Sequence, residues 1–260
     1  MTKGAAFRMV GSAEDPDAAR LWDYGCTGIL EEAGELVAYF GAPVALPFEG
    51  RWEAVGDTDW VADYHRTLQP VPIGRLVVAP THHAVTLHAP QRPLWLDPGM
   101  AFGSGHHETT YLALSALEQT SLRGLRVLDV GSGSGVLAIA ADLLGAADAE
   151  GLDIDPDTVP VAEANAVLNF SKAHFSVGTL AAGPKPADVI VANLFAELHV
   201  ELAPAYRAAL RPGGVLFATG ILAEREHVAR DALQALFGEL ETETKGEWLL
   251  LKARAQAGGV

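Results

Sequence analysis

Three glycines fall at alternate positions in Val127-Leu128-Asp129-Val130-Gly131-Ser132-Gly133-Ser134-Gly135, directly after an apolar run with strand character. Glycines in that spacing let the backbone turn tightly and come within contact distance of a ligand at the carboxyl end of a sheet. The next strand-like run ends at Asp153, where a carboxylate can accept two hydroxyl hydrogen bonds from a ribose. Together these residues point to a nucleoside-bearing cofactor. The dinucleotide fingerprint G-x-G-x-x-G needs a glycine where this chain has Val136; the third glycine comes one place early, which argues against a nicotinamide dehydrogenase.

Metal chemistry has less support. His106-His107-Glu108 would belong to H-E-x-x-H only with a histidine at position 111, which is Tyr111. His82-His83 follows a strand-like segment and reads as a solvated loop. A single cysteine, Cys26, excludes an internal disulfide framework and any cysteine-based zinc site. No metal is expected. Asp155 reads as a residue that stabilises the turn after Asp153, or second as part of the cofactor rim, and Trp248 as core.

The elements that must hold the glycine turn follow from periodicity. From residue 107 onward helix and strand patterns alternate: helix 107–119, strand Arg126–Val130, helix 135–144, strand Glu150–Ile154, a helix capped at Asp157, strand Ala187–Ala192, helix 195–210, strand Val215–Thr219 and helix 223–237. Such alternation predicts a parallel sheet covered by helices on both faces. Leu240–Thr244 and Trp248–Lys252 then form a closing hairpin around Lys245-Gly246. Ahead of these lie strand-like segments Arg75–Ala79 and Ala84–Leu87. Residues 1–56 read as a small β-α-β-β unit whose limited core makes it marginal alone, and residues 57–72 as a helical connector ended by Pro70 and Pro72. Residues 73–260 form the larger domain. The fold class is α/β, a doubly wound, mostly parallel seven-stranded Rossmann-like sheet with a small N-terminal α+β domain.

Eighteen Lys and Arg against 33 Asp and Glu leave a net charge of −15. That surface repels a phosphate backbone, so direct nucleic-acid binding is not expected, and it suits a basic protein client as well as simple solubility. No apolar run approaches the roughly 18 residues of a spanning helix, and the N-terminal residues lack an apolar signal core. The expectation is a cytoplasmic monomer without membrane contact.

A glycine turn on such a sheet, with a helix ahead of it and an antiparallel hairpin at the end, resembles the class I S-adenosylmethionine-dependent methyltransferases. Two further stretches sharpen the likeness. Asp97-Pro98-Gly99-Met100-Ala101-Phe102-Gly103-Ser104-Gly105-His106-His107-Glu108-Thr109-Thr110 is similar to the D-P-G-x-A-F-G-T-G-x-H-x-T-T loop of the methyltransferases of large-subunit ribosomal protein eleven, and Val191-Ala192-Asn193-Leu194-Phe195-Ala196-Glu197-Leu198 to their V-A-N-I/L-x-A-x-L strand end. Ser104 replaces the usual threonine and keeps its hydroxyl; Ser132 stands where many members have cysteine.

The resemblance implies a protein methyltransferase acting on lysine side-chain and N-terminal amines of that basic ribosomal protein. Its cofactor is S-adenosylmethionine, and S-adenosylhomocysteine its product. The alternatives are a class I methyltransferase with another protein or small-molecule substrate, and a noncatalytic adaptor that only binds S-adenosylmethionine. By the same resemblance Thr110, Gly131, Gly133, Asp153 and Asn193 bind the cofactor. Phe102 either closes over the sulfonium, attracting it through the ring face, or packs as part of a lid. His107 either contacts substrate or orients its loop. Residues 1–56 recognise the protein substrate and residues 73–260 perform the chemistry.

Overall fold

The computed structural model of the chain describes residues 5–11, 20–21, 24–26, 28–32, 34–54, 69–81, 83–96 and 107–256. They group into two units, Met1–Tyr64 and His65–Val260. The boundary falls within the connector expected over 57–72, whose helical stretch lies outside the described residues; Val71 and Pro72 belong to a strand.

In the first unit, β1 (Ala5–Val10), β2 (Gly28–Glu32), β3 (Glu35–Phe40) and β4 (Arg51–Ala54) form an antiparallel sheet in the order β2-β3-β1-β4. Alternation along the strands sorts the residues by face. Phe7, Ala38 and Phe40 pack with Leu21 and Trp52 on one side, the Phe7 and Phe40 rings each 5.2 Å from Trp52. Elsewhere Arg8 donates to Glu53 at 2.8 Å, and Arg51 holds Glu35 bidentately at 2.6 and 2.8 Å. β4 was not foreseen from the sequence. Of the expected helix near Leu21, only Arg20 and Leu21 are described, and both are helical.

The second unit opens with a three-stranded sheet of β5 (Val71–Ile73), β6 (Leu76–Pro80) and β7 (Arg92–Leu96). The strand expected over Ala84–Leu87 is instead irregular, and its place beside β6 is taken by β7. Pro93 is tolerated because β7 is an edge strand. On that edge the Asn169 amide accepts from the Trp95 N–H at 2.7 Å and donates to the Trp95 carbonyl at 2.6 Å, replacing a neighbouring strand.

The main body then runs α1 (Glu108–Gln119), β8 (Arg126–Val130), α2 (Val136–Leu143), β9 (Asp148–Asp153), α3 (Thr158–Leu168), β10 (His174–Val177), β11 (Ala187–Asn193), α4 (Ala196–Ala209), β12 (Leu210–Leu222), α5 (Glu226–Phe237), β13 (Leu240–Lys245) and β14 (Trp248–Arg254). Seven strands form one sheet in the order β10-β9-β8-β11-β12-β14-β13. The first five are mutually parallel and β14 is antiparallel to both neighbours. Val127, Val189, Val191 and Phe217 face α1–α3, whereas Leu128, Ile190, Leu216 and Ala218 face α4 and α5. Two cores, one on each side, are what an interior parallel sheet requires. β10 was not anticipated in the strand reading, because a four-residue, half-exposed edge strand leaves little apolar signal.

At the amino ends of the strands the sheet is laced by charge. Arg126, nearly buried, pairs with Asp148 and Glu150 of β9, while Asp188 accepts the Arg126 amide at 2.8 Å and the Arg211 guanidinium at 2.7 Å. The carboxyl ends carry the glycine turn.

Candidate active site

β8 leaves the sheet through Gly131, Gly133 and Gly135, whose φ angles of 73°, 49° and 77° are left-handed and favour glycine at every second residue. The Gly131 and Ser132 amides donate to the Leu152 carbonyl at 2.8 and 3.0 Å. A β-carbon on Gly131 would sit 2.6 Å from Leu194 Cδ2, and one on Gly135 2.6 Å from the Phe175 ring. The turn is therefore glycine-rich for space as well as for φ.

Asp153, at the end of β9, accepts from the Gly133 amide through Oδ2 at 2.8 Å and from the Asp155 amide through Oδ1 at 3.0 Å. Asp155 in turn accepts from the Asp157 amide at 2.9 Å and so stabilises the turn into α3. Asp157 is the residue before α3, but its side chain makes no capping bond. Each carboxylate oxygen of Asp153 keeps acceptor capacity for a hydroxyl.

Beneath the turn lies Asp129, fully buried. Its Oδ2 accepts from the Ala138 amide at 3.1 Å, capping α2 from the strand because Gly135 has no side chain to do so. Oδ1 has no hydrogen-bond partner among the described residues. Burial pushes the carboxyl up to about 7, opposed by the Ala138 amide and reinforced by the charge of Asp153.

Across the site, Asn193 ends β11 and donates from Nδ2 to Thr110 Oγ1 at 3.4 Å. Thr110 lies buried in the first turn of α1. Thr110, Gly131, Gly133, Asp153 and Asn193, five residues singled out from the sequence, all line one cleft of about 490 Å³. Its apolar walls come from Ile154, Leu180, Leu194 and Leu198, with Glu201 also in the lining. None of these was named as a site residue from the sequence, although Leu194 and Leu198 belong to the strand-end motif that resembles the family's. Ile154 had a signal, being an apolar residue directly after a strand-end acid; Leu180 meets it only through the tertiary fold.

His107 takes a different position. It is the N-cap of α1, its Nδ1 accepting from the Thr109 amide at 3.4 Å and lying 2.8 Å from Thr109 Oγ1. Its ring meets Trp248 edge-on at 4.8 Å, and it is not among the residues lining the cleft. Trp248 is partly buried and packs against the core, as expected. Phe102 lies outside the described residues, as does His82. Among the described residues no three His, Cys, Asp or Glu side chains converge to hold a metal ion, and no helix is long and apolar enough to cross a membrane.

The donor set suits an adenosyl sulfonium. A strand-end carboxylate can take the ribose hydroxyls, the exposed Ile154 and buried Leu180 offer apolar faces for a base, and the volume falls in the usual range for a small-molecule site.

Known proteins agree with this geometry. The profile of the family described as Ribosomal protein L11 methyltransferase (PrmA) matches residues 25–256. The chain is 50% identical over 251 residues to the ribosomal protein L11 methyltransferase of Thermus thermophilus, covering 94% of this chain and 97% of that protein. With the enzyme of the same name from Deinococcus radiodurans it shares 44% over 253 residues, 91% and 93% of the two chains. The crystal structure of ribosomal protein L11 methylase from Lactobacillus delbrueckii subsp. bulgaricus superposes with a TM-score of 0.68 at 31% identity, covering 73% of this chain and all of that one. The Thermus thermophilus 16S rRNA methyltransferase RsmC, in complex with AdoMet and guanosine, superposes with a TM-score of 0.53 at 25% identity over 60% of this chain and 45% of its own. Sheet order, glycine turn and relatives converge on a Rossmann-like methyltransferase, and the chain belongs to the ribosomal protein L11 methyltransferase (PrmA) family.

Proposed function

We propose that the protein transfers methyl groups from S-adenosylmethionine to amines of ribosomal protein L11, on lysine side chains and at the N-terminus. The observation that carries this reading is the convergence of Asp153, Gly133, Thr110 and Asn193 on one cleft in a chain with near full-length likeness to named L11 methyltransferases. The cofactor supplies an electrophilic methyl on a sulfonium, and the chain's residues hold and aim the partners.

Asp153 accepts the ribose hydroxyls, with its carboxylate already oriented by the Gly133 and Asp155 amides. Thr110 presents a hydroxyl toward the amino-acid end of the cofactor. Because Asn193 uses its Nδ2 on Thr110, its Oδ1 is left to accept from the incoming amine and aim the lone pair. A lysine of ordinary pKa near 10.4 pays roughly 4–5 kcal/mol to be neutral at pH 7, and desolvation beside a sulfonium lowers that demand. Phe102 enters this reading in its expected role, either closing over the sulfonium or packing as part of a lid, and His107 enters it as the anchor of the first turn of α1.

Residues 1–56 serve as the recognition domain. The unit Met1–Tyr64 contains four Lys and Arg against twelve Asp and Glu, more than half of the chain's net charge, which supports a basic client. The same charge supports action without nucleic-acid contact, and the reading keeps the protein a cytoplasmic monomer. Intact mass spectrometry of L11 before and after incubation with enzyme and S-adenosylmethionine tests the function. Additions in one-methyl steps, mapped to amines, are expected. An unchanged mass with an enzyme that binds cofactor moves the activity to another substrate, and failure to bind S-adenosylhomocysteine removes the reading altogether.

A further inference from the structure

We propose that His199, a buried residue behind the cleft lining, is a positioning residue for the reaction centre: through Thr219 it locks the strand end that presents Asn193 and Leu194. The inference rests on the proposed function, since it assigns Asn193 a part in methyl transfer.

His199 lies on α4, one turn after the N-cap Phe195, and is fully buried. Its Nε2 is 2.8 Å from the Thr219 carbonyl and its Nδ1 3.2 Å from the Tyr206 hydroxyl. A carbonyl only accepts, so Nε2 carries the hydrogen and donates; Nδ1 is then an acceptor, and Tyr206 donates to it. One tautomer satisfies the whole chain. Burial depresses the imidazole to about 4 and raises the Tyr206 phenol, so both groups stay neutral and the donor order is fixed across the working range of pH.

Thr219 is where this chain ends and the site begins. Its carbonyl also accepts the Leu194 amide at 2.9 Å, and its hydroxyl donates to the Leu249 carbonyl at 2.9 Å. Asn193 pairs with Thr219 in the ladder between β11 and β12. Immediately afterwards the register of β12 against β14 slips, and Gly220 has a φ of 85°. At Gly220 the backbone presses so closely on Leu194 that a β-carbon would overlap the Leu194 carbonyl oxygen. On its other side the Leu194 side chain abuts Gly131 of the glycine turn. Leu194 is thus held between two glycines, and Thr219 fixes its amide.

An aliphatic side chain would fill the space at 199 without burying polar atoms. A buried imidazole is tolerable only with its partners in place, and in exchange it sets orientation as well as packing. Here the orientation that it sets belongs to the residue pair facing the methyl-transfer site. Displacing Asn193 by a fraction of an ångström misaims the amine, and alignment of reacting groups carries large rate effects.

The test uses full-length His199→Leu, His199→Gln and Tyr206→Phe. Each is measured for thermal unfolding, S-adenosylhomocysteine binding and single-turnover methylation of L11 at saturating cofactor. His199→Leu is expected to lower the single-turnover rate at least tenfold while changing the cofactor Kd less than threefold. His199→Gln, whose amide can still donate to the Thr219 carbonyl, is expected to recover most of that rate. Tyr206→Phe keeps the ring N–H and frees only its orientation, so a loss of about threefold is expected. The proposal is overturned if His199→Leu keeps the wild-type rate with only a lower Tm, or if His199→Gln is as slow as His199→Leu at equal Tm. Should His199→Leu fail to fold, the other two variants decide. Inactivity or absent cofactor binding in the unaltered enzyme would count against the proposed function instead.

Discussion

Asp153 Oδ2 accepts the Gly133 amide at 2.8 Å, so the acid at the end of β9 and the glycine turn after β8 form one hydrogen-bonded unit. Replacing Asp153 by alanine removes a charged acceptor from the cleft but leaves the Gly131 and Ser132 amides on the Leu152 carbonyl. Hydrogen bonds to charged groups contribute about 1.5–3 kcal/mol. Asp153→Ala is therefore expected to weaken S-adenosylhomocysteine binding roughly ten- to a hundredfold by calorimetry, with a far-ultraviolet spectrum like that of the wild type. Unaltered affinity would remove Asp153 from the site.

Gly131 faces two separate demands, a φ of 73° and a Leu194 methyl 2.6 Å from any β-carbon. Gly131→Ala is expected to lose about 1–2 kcal/mol from backbone conformation alone, with a further loss from overlap. The double variant Gly131→Ala with Leu194→Ala relieves only the overlap. Denaturant unfolding of the two single variants and the double variant should therefore show a coupling term, with the conformational part remaining. Full additivity would mean that the two residues do not meet.

Asp129 links stability to pH. A carboxyl shifted from an ordinary 3.8 up to about 7 holds its proton more tightly when folded, so its contribution is complete in acid and is lost as pH rises through about 7. Asp129→Asn cannot ionise and keeps an acceptor for the Ala138 amide. Relative to wild type, this variant should gain stability between about pH 4 and pH 7 by up to roughly 4 kcal/mol and then level off. A pH-independent difference in denaturant unfolding would refute the linkage.

At the end of α3, the Ser171 amide donates to the Ala166 carbonyl at 2.9 Å and the Phe170 amide to that of Val167 at 3.1 Å. This pairing is a Schellman motif, and Phe170 occupies its left-handed position at a φ of 52° with 94% of its surface exposed. Glycine usually fills that position. Phe170→Gly is expected to raise stability by about 0.5–1 kcal/mol, read as an increase in Tm. A lower Tm would show that the ring packs against something in solution.

What the sequence disclosed follows from how strongly each position is constrained. The glycine turn and Asp153 were legible because few residue types can make that bend and bond, whatever surrounds them. The framework of β8, β9, β11 and β12 was legible because Val127, Val189 and Val215 recur within apolar runs that only a sheet covered on both faces can bury. β7 was missed because Pro93 breaks the strand pattern of an edge strand whose outer partner is a side chain, Asn169. His199 gave no signal at all. Its partners Thr219 and Tyr206 lie on β12 and one face of α4, and only the packed fold brings them together.

Arg126, Asp148, Glu150, Asp188 and Arg211 fasten the sheet at the extremity opposite the cleft. Cohesion and chemistry are thereby assigned to opposite poles of the same strands. A substitution at the pocket rim leaves these ion pairs in place at the far end of the strands, which separates what the cleft binds from what keeps the strands in register.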